Sequence, residues 1–253
     1  MSPQGAGASR LRPDRELETT LLASHRVVAG MDEVGRGALA GPVSVGVALV
    51  DTTTPDHFPH GLADSKQLSP TRREALQAPC RDWVLDCAVA HAWPAEIDAL
   101  GMVGALRLAG LRALVEVASR GHRPDVVILD GVADWLSEPA TDLLTELSAS
   151  QPVHPAVAEV RHQMDSLGLA TPPVRMQVKA DARCAVVAAA SVLAKVERDA
   201  LMTELDDPGY GWASNKGYAS AAHVAGLGRL GASDQHRRSW HLPGLEAFAA
   251  GGQ

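Results

Sequence analysis

Short runs of Val, Ala, Leu and Ile, each bounded by turn-forming residues, recur along the chain and predict the strands of a β-sheet. Three of these runs follow one another with little helical pattern between them, and two come later in the chain. The five predicted strands span residues 27–31, 43–50, 83–93, 126–129 and 176–178.

Apolar residues at helical spacing predict helices between and after these strands. Ser69-Pro70 is a typical helix start, because a capping hydroxyl precedes a proline at the first helical position. The predicted helices span residues 14–25 and 70–79, a short and a long helix within 94–119, then 182–205 and 220–230. This order of elements indicates an α/β fold, a mixed sheet with helices on its faces.

The composition is that of a folded domain. Of 253 residues, 46% are hydrophobic and 21% are charged, which is enough to bury a core without disulfides. The three cysteines are an odd number and no signal-peptide pattern is present, so we expect a reducing, cytoplasmic location. The longest apolar run, residues 184–194, is too short to span a bilayer, and we expect no membrane association.

The net charge of −7 at first argues against a nucleic-acid partner, because such proteins usually have an excess of basic residues. The charge is unevenly distributed, however. Residues 1–174 have 14 basic and 22 acidic side chains, a net −8, whereas residues 175–253 have 9 basic and 8 acidic, a net +1. We therefore expect a small basic patch late in the chain, and acidic residues grouped where a metal ion would neutralise them.

Three aspartates, Asp32, Asp130 and Asp181, lie at or just after the ends of predicted strands. Side chains at the carboxyl ends of strands in an open sheet project into the crevice where ligands bind. Any one of these aspartates alone is more simply a helix cap or a solvated strand end, but their equivalent positions favour a shared site. Carboxylate oxygens favour Mg²⁺ or Mn²⁺ over zinc.

Glu33 is a fourth candidate for this site. Adjacent residues in a regular strand point to opposite faces of the sheet, so Asp32 and Glu33 cannot both face the site from within a strand. We therefore expect the first strand to have ended at Asp32, in front of the glycines at 35 and 37.

Gly35, Gly37 and Gly41 follow the first predicted strand. A dinucleotide-binding turn needs a helix directly after such glycines, and a strand is predicted there, so an enzyme with a nucleotide cofactor is the weaker alternative. The glycines around Arg36 instead let the backbone approach a phosphate or a sugar closely, with the guanidinium beside it. An ordinary glycine-rich turn is the simpler alternative.

Residues 209–218 interleave aromatic residues, glycines and Lys216, a pattern typical of loops that contact sugars or bases. Tyr218 is the stronger candidate for such a contact, whereas Trp212 is more simply a residue that packs the loop onto the core. Four later residues are interpreted as surface or supporting residues rather than catalysts: His223, His236, Arg237 and Arg238.

These motifs make the chain similar to the type 2 ribonuclease H family, in particular to bacterial ribonuclease HII. The similar stretches follow the family's order between residues 27 and 240. They are GMDEVGRGALAGPV at 30–43, DSKQLS at 64–69, LDG at 129–131, VKAD at 178–181, AAASVLAKVERD at 188–199, NKGY at 215–218 and HRRSW at 236–240.

The resemblance implies an RNase H-like mixed sheet flanked by helices, with a C-terminal helical segment, and a metal-dependent endonuclease. Its implied substrates are the RNA strand of RNA–DNA hybrids and single ribonucleotides in duplex DNA, cut to leave 3′-hydroxyl and 5′-phosphate ends. The implied catalytic residues, which would hold two divalent ions, Mg²⁺ or Mn²⁺, are Asp32, Glu33, Asp130 and Asp181.

The resemblance also implies a set of substrate-binding residues. The Gly35-Arg36-Gly37 turn would contact the 2′-hydroxyl of the ribonucleotide, and Tyr218 would sense its junction with the following deoxyribose. The candidates for phosphate contacts are Lys66, Lys195, Arg198 and Lys216; for Lys195 and Arg198, which lie on a predicted helix, surface ion pairs are the equal alternative. The chain departs from the usual family pattern at Ala180, Arg183 and Cys184.

We expect a disordered leader at 1–13 and one RNase H-like catalytic domain at 14–240. That domain contains an inserted loop at 132–173 and a helical substrate-binding part at 182–240, and a short tail follows at 241–253. No sliding-clamp motif is present in the sequence, and a monomer is expected. A non-catalytic hybrid-binding protein, in which the acids are remnants, is the alternative from another functional class.

Overall fold

The computed structural model describes residues 12–138 and 153–251. Its centre is one five-stranded sheet with the order β3-β2-β1-β4-β5. Strand β2 runs antiparallel to both of its neighbours, β1 and β3, whereas β4 and β5 run parallel to β1, so the predicted mixed sheet is confirmed. The strands are β1 Val27–Val34, β2 Val43–Asp51, β3 Asp86–Ala92, β4 Val126–Asp130 and β5 Val174–Gln177.

Helices cover both faces of this sheet, and 3-10 turns at Ser65–Gln67 and Ala180–Ala182 connect them to the strands. Gly101, with φ 68°, interrupts α3 and separates the predicted short and long helices. The helices are α1 Glu16–Leu22, α2 Pro70–Trp83, α3 Pro94–Ser119, α4 Pro155–Leu167, α5 Ala185–Glu204, α6 Trp212–Asn215, α7 Ala221–Leu230 and α8 Leu245–Gly251. None of the helices within the described ranges is long and apolar enough to cross a membrane.

Two of the expected segment boundaries need correction. The region 132–173, expected to be an inserted loop, contains α4, whose buried Val160 and Met164 pack toward α3; residues 139–152 lie outside the described part. The expected tail at 241–253 includes α8. Residues 1–11 of the expected disordered leader lie outside the described residues.

Three hydrophobic clusters divide the interior. One lies between the sheet and the helices α3 and α4, and a second lies between the opposite face of the sheet and the helices α2 and α5. The third is smaller and belongs to the predicted C-terminal helical segment, where Tyr210 and Trp212 stack with ring centroids 4.9 Å apart. Trp212 is therefore a packing residue, as the simpler interpretation of its loop predicted.

Helix α5 lies unusually close to the sheet, because two strand glycines leave room for its backbone. A Cβ atom on Gly30 would stand 2.7 Å from the backbone of Val186 and Val187, and one on Gly46 would stand 2.4 Å from the carbonyl oxygen of Ala190. Real Cβ atoms do not approach backbone atoms so closely, so a side chain at either position would force the helix away from the sheet.

We predict that Gly46→Ala destabilises the protein by about 1–3 kcal/mol, the usual cost of overpacking a core. Urea unfolding of the variant and the parent measures the difference. Gly37→Ala is the matched control, because a Cβ at Gly37 has no neighbour within 4 Å and its φ is not positive. Equal stability of the two variants would contradict the close contact between α5 and the sheet.

Candidate active site

Asp32 and Asp130 are brought together by the pairing of two parallel strands. Met31 of β1 pairs with Leu129 of β4, so the two aspartates occupy equivalent positions one residue further along. Residues aligned in parallel strands point to the same face, which here is the face covered by α5. The prediction that these carboxylates share one edge of the sheet is therefore consistent with the strand register.

Asp32 is buried, with 3% of its surface exposed, and it faces Ser191 on α5. Burial raises the pKa of Asp32 to about 8; a hydrogen bond from Ser191 opposes this rise, and the negative charges of Glu33, Asp130 and Asp181 add to it. The carboxylate also accepts a hydrogen bond from the Glu33 amide at 2.9 Å. The protein therefore holds several acids together at an electrostatic cost.

Asp181 reaches the same region from the 3-10 turn that follows β5. Asp130 fixes this turn, because its Oδ1 accepts a hydrogen bond of 2.6 Å from the backbone amide of Ala180. Burial and, after it, the charges of Asp130 and Asp64 together raise the pKa of Asp181 to about 6 against the opposing effect of Lys66. The Lys66 Nζ lies 3.6 Å from Asp181 Oδ2.

Glu33 reaches the site in a different way from that expected. The first strand does not end at Asp32, because Glu33 still pairs with Val45 and the strand continues to Val34. The expectation of an early strand end is therefore wrong. Glu33 lines the same cavity as Asp32 from the end of the sheet, and its Oε1 lies 3.4 Å from Nη1 of Arg36.

This cavity has a volume of about 250 Å³ and collects most of the predicted site residues. The Gly35–Gly37 turn forms one wall, and Lys195 and Tyr218 form another; the Lys195 Nζ lies 5.9 Å from the centre of the Tyr218 ring. Lys195 is also paired with Asp199 at 2.6 Å. The lining residues are Asp32, Glu33, Val34, Gly35, Arg36, Gly37, Ser65, Lys66, Lys195 and Tyr218.

Two predicted phosphate contacts are not placed in this cavity. Arg198 is fully buried, and its guanidinium donates to the carbonyl oxygens of Pro42, Ala40 and Lys216, so its assignment as a surface contact to substrate is wrong. Lys216 lines a separate cavity of about 330 Å³ between α2 and α5, where its ammonium group donates to Thr203 and to the carbonyl of Ala213.

The sequence does not single out two supporting residues, Asp64 and Ser191, and it indicates a third, Arg237, only as a surface or supporting residue. Asp64 lies in the DSKQLS motif, and its carboxylate accepts from the Lys66 amide at 2.8 Å and so fixes the loop that presents Lys66. Ser191 belongs to the AAASVLAKVERD motif and faces Asp32. Arg237, in HRRSW, is fully buried beneath the Gly35–Gly37 turn. Each of these three residues lies in one of the sequence motifs that carry the resemblance to a known family, but only tertiary contacts reveal its partner.

His223 and His236 form a buried pair behind Tyr218. His236 Nδ1 accepts a hydrogen bond from the Ser233 amide, so its proton is on Nε2, which lies 3.0 Å from Nε2 of His223. His223 then donates from Nδ1 to the carbonyl oxygen of Tyr218 at 3.0 Å. Burial lowers the pKa of His236 to about 4, and so both rings are neutral supports for the tyrosine loop.

The acids have the chemistry of a divalent-metal site. All four donors are carboxylate oxygens, which suit a hard cation. Burial and, after it, the neighbouring negative charges raise the pKa values of Asp32 and Asp181, and a bound cation would offset this cost of ionising them. Within the described part of the chain, no three Asp, Glu, His or Cys side chains come close enough together to hold a metal between them. The donor set fits such an ion, but the geometry seen here is not a closed coordination shell.

The structure contradicts the alternative of an enzyme with a nucleotide cofactor. It predicts a helix directly after Gly41, where a phosphate would lie at the helix N-terminus. The chain instead enters β2 at Val43.

Three comparisons with known proteins agree with one another. The sequence profile of the family described as Ribonuclease HII matches residues 29–242. Ribonuclease HII of Streptomyces avermitilis is 42% identical over 232 residues, which cover 90% of this chain and 83% of that protein.

Two solved structures have the same fold. The ribonuclease H2 from Pyrococcus horikoshii OT3 is 26% identical with a TM-score of 0.58, covering 90% of this chain and 100% of that one. A chain of the PCNA:RNase HII complex from Archaeoglobus fulgidus is 25% identical with a TM-score of 0.55, covering 85% of this chain and 96% of that one.

We predict that Asp32→Asn stabilises the protein near neutral pH in the presence of a chelator by about 1–3 kcal/mol, because the raised pKa of Asp32 costs stability wherever the unfolded chain would ionise this acid, and the amide keeps an acceptor oxygen without that cost. Urea unfolding in the chelator measures this change. Asp82→Asn, an exposed acid on α2, is the matched control and should leave stability unchanged. A loss of stability in Asp32→Asn would contradict the repulsion inferred at the site.

Proposed function

We propose that this chain, which belongs to the ribonuclease HII family and is therefore a ribonuclease H, hydrolyses the RNA strand of RNA–DNA hybrids and also incises duplex DNA at single embedded ribonucleotides. The products would have 3′-hydroxyl and 5′-phosphate ends. The observation that supports this most directly is the cavity in which Asp32 and Glu33 lie beside the Gly35–Gly37 turn and Tyr218. It combines carboxylates for divalent ions with a backbone turn and an aromatic ring open to a nucleotide.

Asp32, Glu33, Asp130 and Asp181 would hold two divalent ions, Mg²⁺ or Mn²⁺. When bound, such ions supply a water activated for attack at phosphorus and stabilise the charge on the leaving oxygen. The protein's own contribution is orientation. The backbone amide of Glu33 fixes Asp32, which Ser191 faces from α5, and the amide of Ala180 fixes Asp130.

The cationic side chains around the cavity would position the phosphodiester. Lys66 is largely exposed beside Asp181, and Lys195 lies on the opposite wall near Tyr218. Both present ammonium groups where backbone phosphates must approach the acids. Lys216, in its separate cavity along α5, would contact a phosphate farther from the cut.

Gly37 supports recognition of the substrate by close backbone approach. It is exposed, its φ is not positive, and a Cβ there would meet no atom of the protein within 4 Å. The fold therefore does not require glycine at this position, whereas a ribose lying against the turn would. Tyr218 is 38% exposed at the other side of the cavity, where its ring could stack against the neighbouring sugar. We also propose that the protein is a monomer and is located in the cytoplasm.

We expect the purified protein to cut a DNA duplex containing one ribonucleotide, and an RNA–DNA hybrid, when Mg²⁺ or Mn²⁺ is present and not in a chelator. Gel analysis of end-labelled strands measures cleavage, and ligation and primer extension test for the 5′-phosphate and 3′-hydroxyl ends. The Asp130→Asn variant should lose more activity than the roughly 10–100-fold loss that is typical of replacing a residue that only supports a metal ligand, because Asp130 is itself a proposed ligand. Asp134→Asn, exposed and outside the cavity, is the matched control.

The outcomes separate the two functional classes. Binding of the hybrid that persists in the chelator without cleavage under either metal would favour the non-catalytic hybrid-binding alternative. Cleavage of the hybrid but not of the single-ribonucleotide duplex would leave the ribonuclease H activity and remove the second substrate.

We predict that Gly37→Ala lowers kcat/KM on the single-ribonucleotide duplex by about 10–100-fold, the cost of misplacing a substrate by about 1 Å, with no change in the thermal midpoint. Gly35→Ala is the contrasting variant. Its φ is +85° and its Cβ would lie 2.1 Å from Nε of Arg198, so it should lose stability as well. Full activity of Gly37→Ala would show that the turn does not approach the substrate.

A further inference from the structure

Arg198 and Arg237 are two fully buried arginines, and their position calls for an explanation. Within the described residues, neither guanidinium has a carboxylate oxygen within 4 Å. Burying a charge without a counter-charge is costly, and apolar residues of similar volume usually fill the same space equally well. Burial, with the nearby charge of Arg198, lowers the pKa of Arg237 only to about 9, and burial lowers the pKa of Arg198 as well. Arginine keeps its proton in proteins at neutral pH, so both side chains are cationic. The hydrogen-bond donors of the two guanidinium groups must therefore make contacts that apolar residues cannot make.

The donors of Arg237 converge on the carbonyl oxygens of the Gly35–Gly37 turn. Nη2 lies 2.7 Å from the oxygen of Gly35, and Nη1 lies 2.9 Å from the oxygen of Arg36. The same guanidinium reaches the oxygen of Gly41 at 3.2 Å and lies over the ring of Trp240. A rigid, planar fork thus holds two successive peptide groups from the interior side.

This contact fixes the direction of two amide groups. None of the described peptide bonds is cis, and in a trans peptide the N–H points opposite to the C=O. Because Arg237 draws the carbonyls of Gly35 and Arg36 inward, the N–H groups of Arg36 and Gly37 point outward. Neither N–H has a hydrogen-bond partner within the described residues, and both residues are exposed at the cavity that contains Asp32.

Arg198 connects the same turn region to the tyrosine loop. It donates to the oxygens of Pro42 and Ala40 on one side and to the oxygen of Lys216 on the other, at 2.8, 3.3 and 3.0 Å. Its guanidinium lies 5.7 Å from the centre of the Tyr218 ring. The amides of Leu39 and Ala40 also donate to the oxygen of Gly217, so the two segments form one unit.

We propose that Arg237 is a positioning residue that aims the amide groups of Arg36 and Gly37 at an oxygen of the bound nucleic acid, while Arg198 holds the tyrosine loop at a fixed distance beside them. This inference rests on the proposed function, since it assigns a role in the recognition of that substrate. It explains why both arginines are buried, cationic and directed only at main-chain oxygens. It also explains why Gly35, which lies against Arg198, has no side chain.

The first test uses the parent protein and its Arg237→Lys and Arg237→Met variants, labelled with ¹⁵N. In the parent, the amides of Arg36 and Gly37 should be rigid, with order parameters near 0.85, and yet exchange freely with water. Lysine keeps the charge but not the fork, so in both variants order in residues 35–37 should fall while residues 216–218 stay ordered. Protected amides at 36 and 37 in the parent, or unchanged order in Arg237→Lys, would overturn the proposal.

The second test is kinetic and separates positioning from charge and from folding. With folded protein measured by its thermal transition, Arg237→Lys should lose about 10–100-fold in kcat on the single-ribonucleotide duplex, with KM changed less than about threefold. Arg112→Lys is the matched control, since Arg112 also donates to a main-chain oxygen, that of His91, but lies on α3 away from the cavity. The Arg112→Lys variant should have the same kcat per folded molecule as the parent protein.

Each outcome decides the question. Parental kcat in Arg237→Lys would mean that positive charge alone is needed, and an equal loss in Arg112→Lys would mean that the effect is general destabilisation; either overturns the proposal. If the parent itself cuts neither substrate, the proposed function fails, while the order and exchange measurements still decide whether Arg237 orients the turn.

Discussion

The close contact between α5 and the strands β1 and β2 is the constraint on which the rest of the site depends. It is possible only because Gly30 and Gly46 have no side chains, so that the helix backbone rests directly on the sheet. At this distance Ser191 reaches Asp32, and the next turns of the same helix bring Lys195 to the cavity and Arg198 beneath the Gly35–Gly37 turn. A helix displaced by one methyl group would move all of these contacts together, since interiors repack poorly.

The electrostatic arrangement has two opposite parts. On the sheet side, acids are held together against their mutual repulsion, and burial raises the pKa values of Asp32 and Asp181. Beneath the loops, Arg198 and Arg237 are buried without counter-charges. The net charge of −7 therefore says little about the substrate, because the site groups acids that Lys66 and Arg36 only partly offset, a short distance from two buried arginines. Divalent cations would offset the acidic cluster just where a phosphate has to approach.

The parts that sequence predicted well are those fixed by local pattern. Apolar runs bounded by turn residues located the five strands of the described sheet to within a few residues, and the strand-end position of Asp130 follows from them, whereas the register of β1 with β4 needed the structure. The sequence does not predict helix α4, although His154-Pro155 resembles the helix start at Ser69-Pro70, because the prolines around it are typical of irregular structure. The role of Arg198 was wrong for a different reason: its partner Pro42 is 156 residues away, and no local pattern reveals a contact of that range.

The Gly35-Arg36-Gly37 motif illustrates why sequence alone could not separate structural from functional glycines. Gly35 has a positive φ and lies against Arg198, so the fold requires it; Gly37 has neither constraint, so the described residues do not require glycine there. The two glycines look alike in the sequence and are only two residues apart. Their difference becomes visible only with Arg198 and Arg237, which support the turn from sequence positions more than 150 residues away. The inner side of the turn is thus determined by the fold, and its outer side is exposed at the cavity, where we propose that the substrate binds.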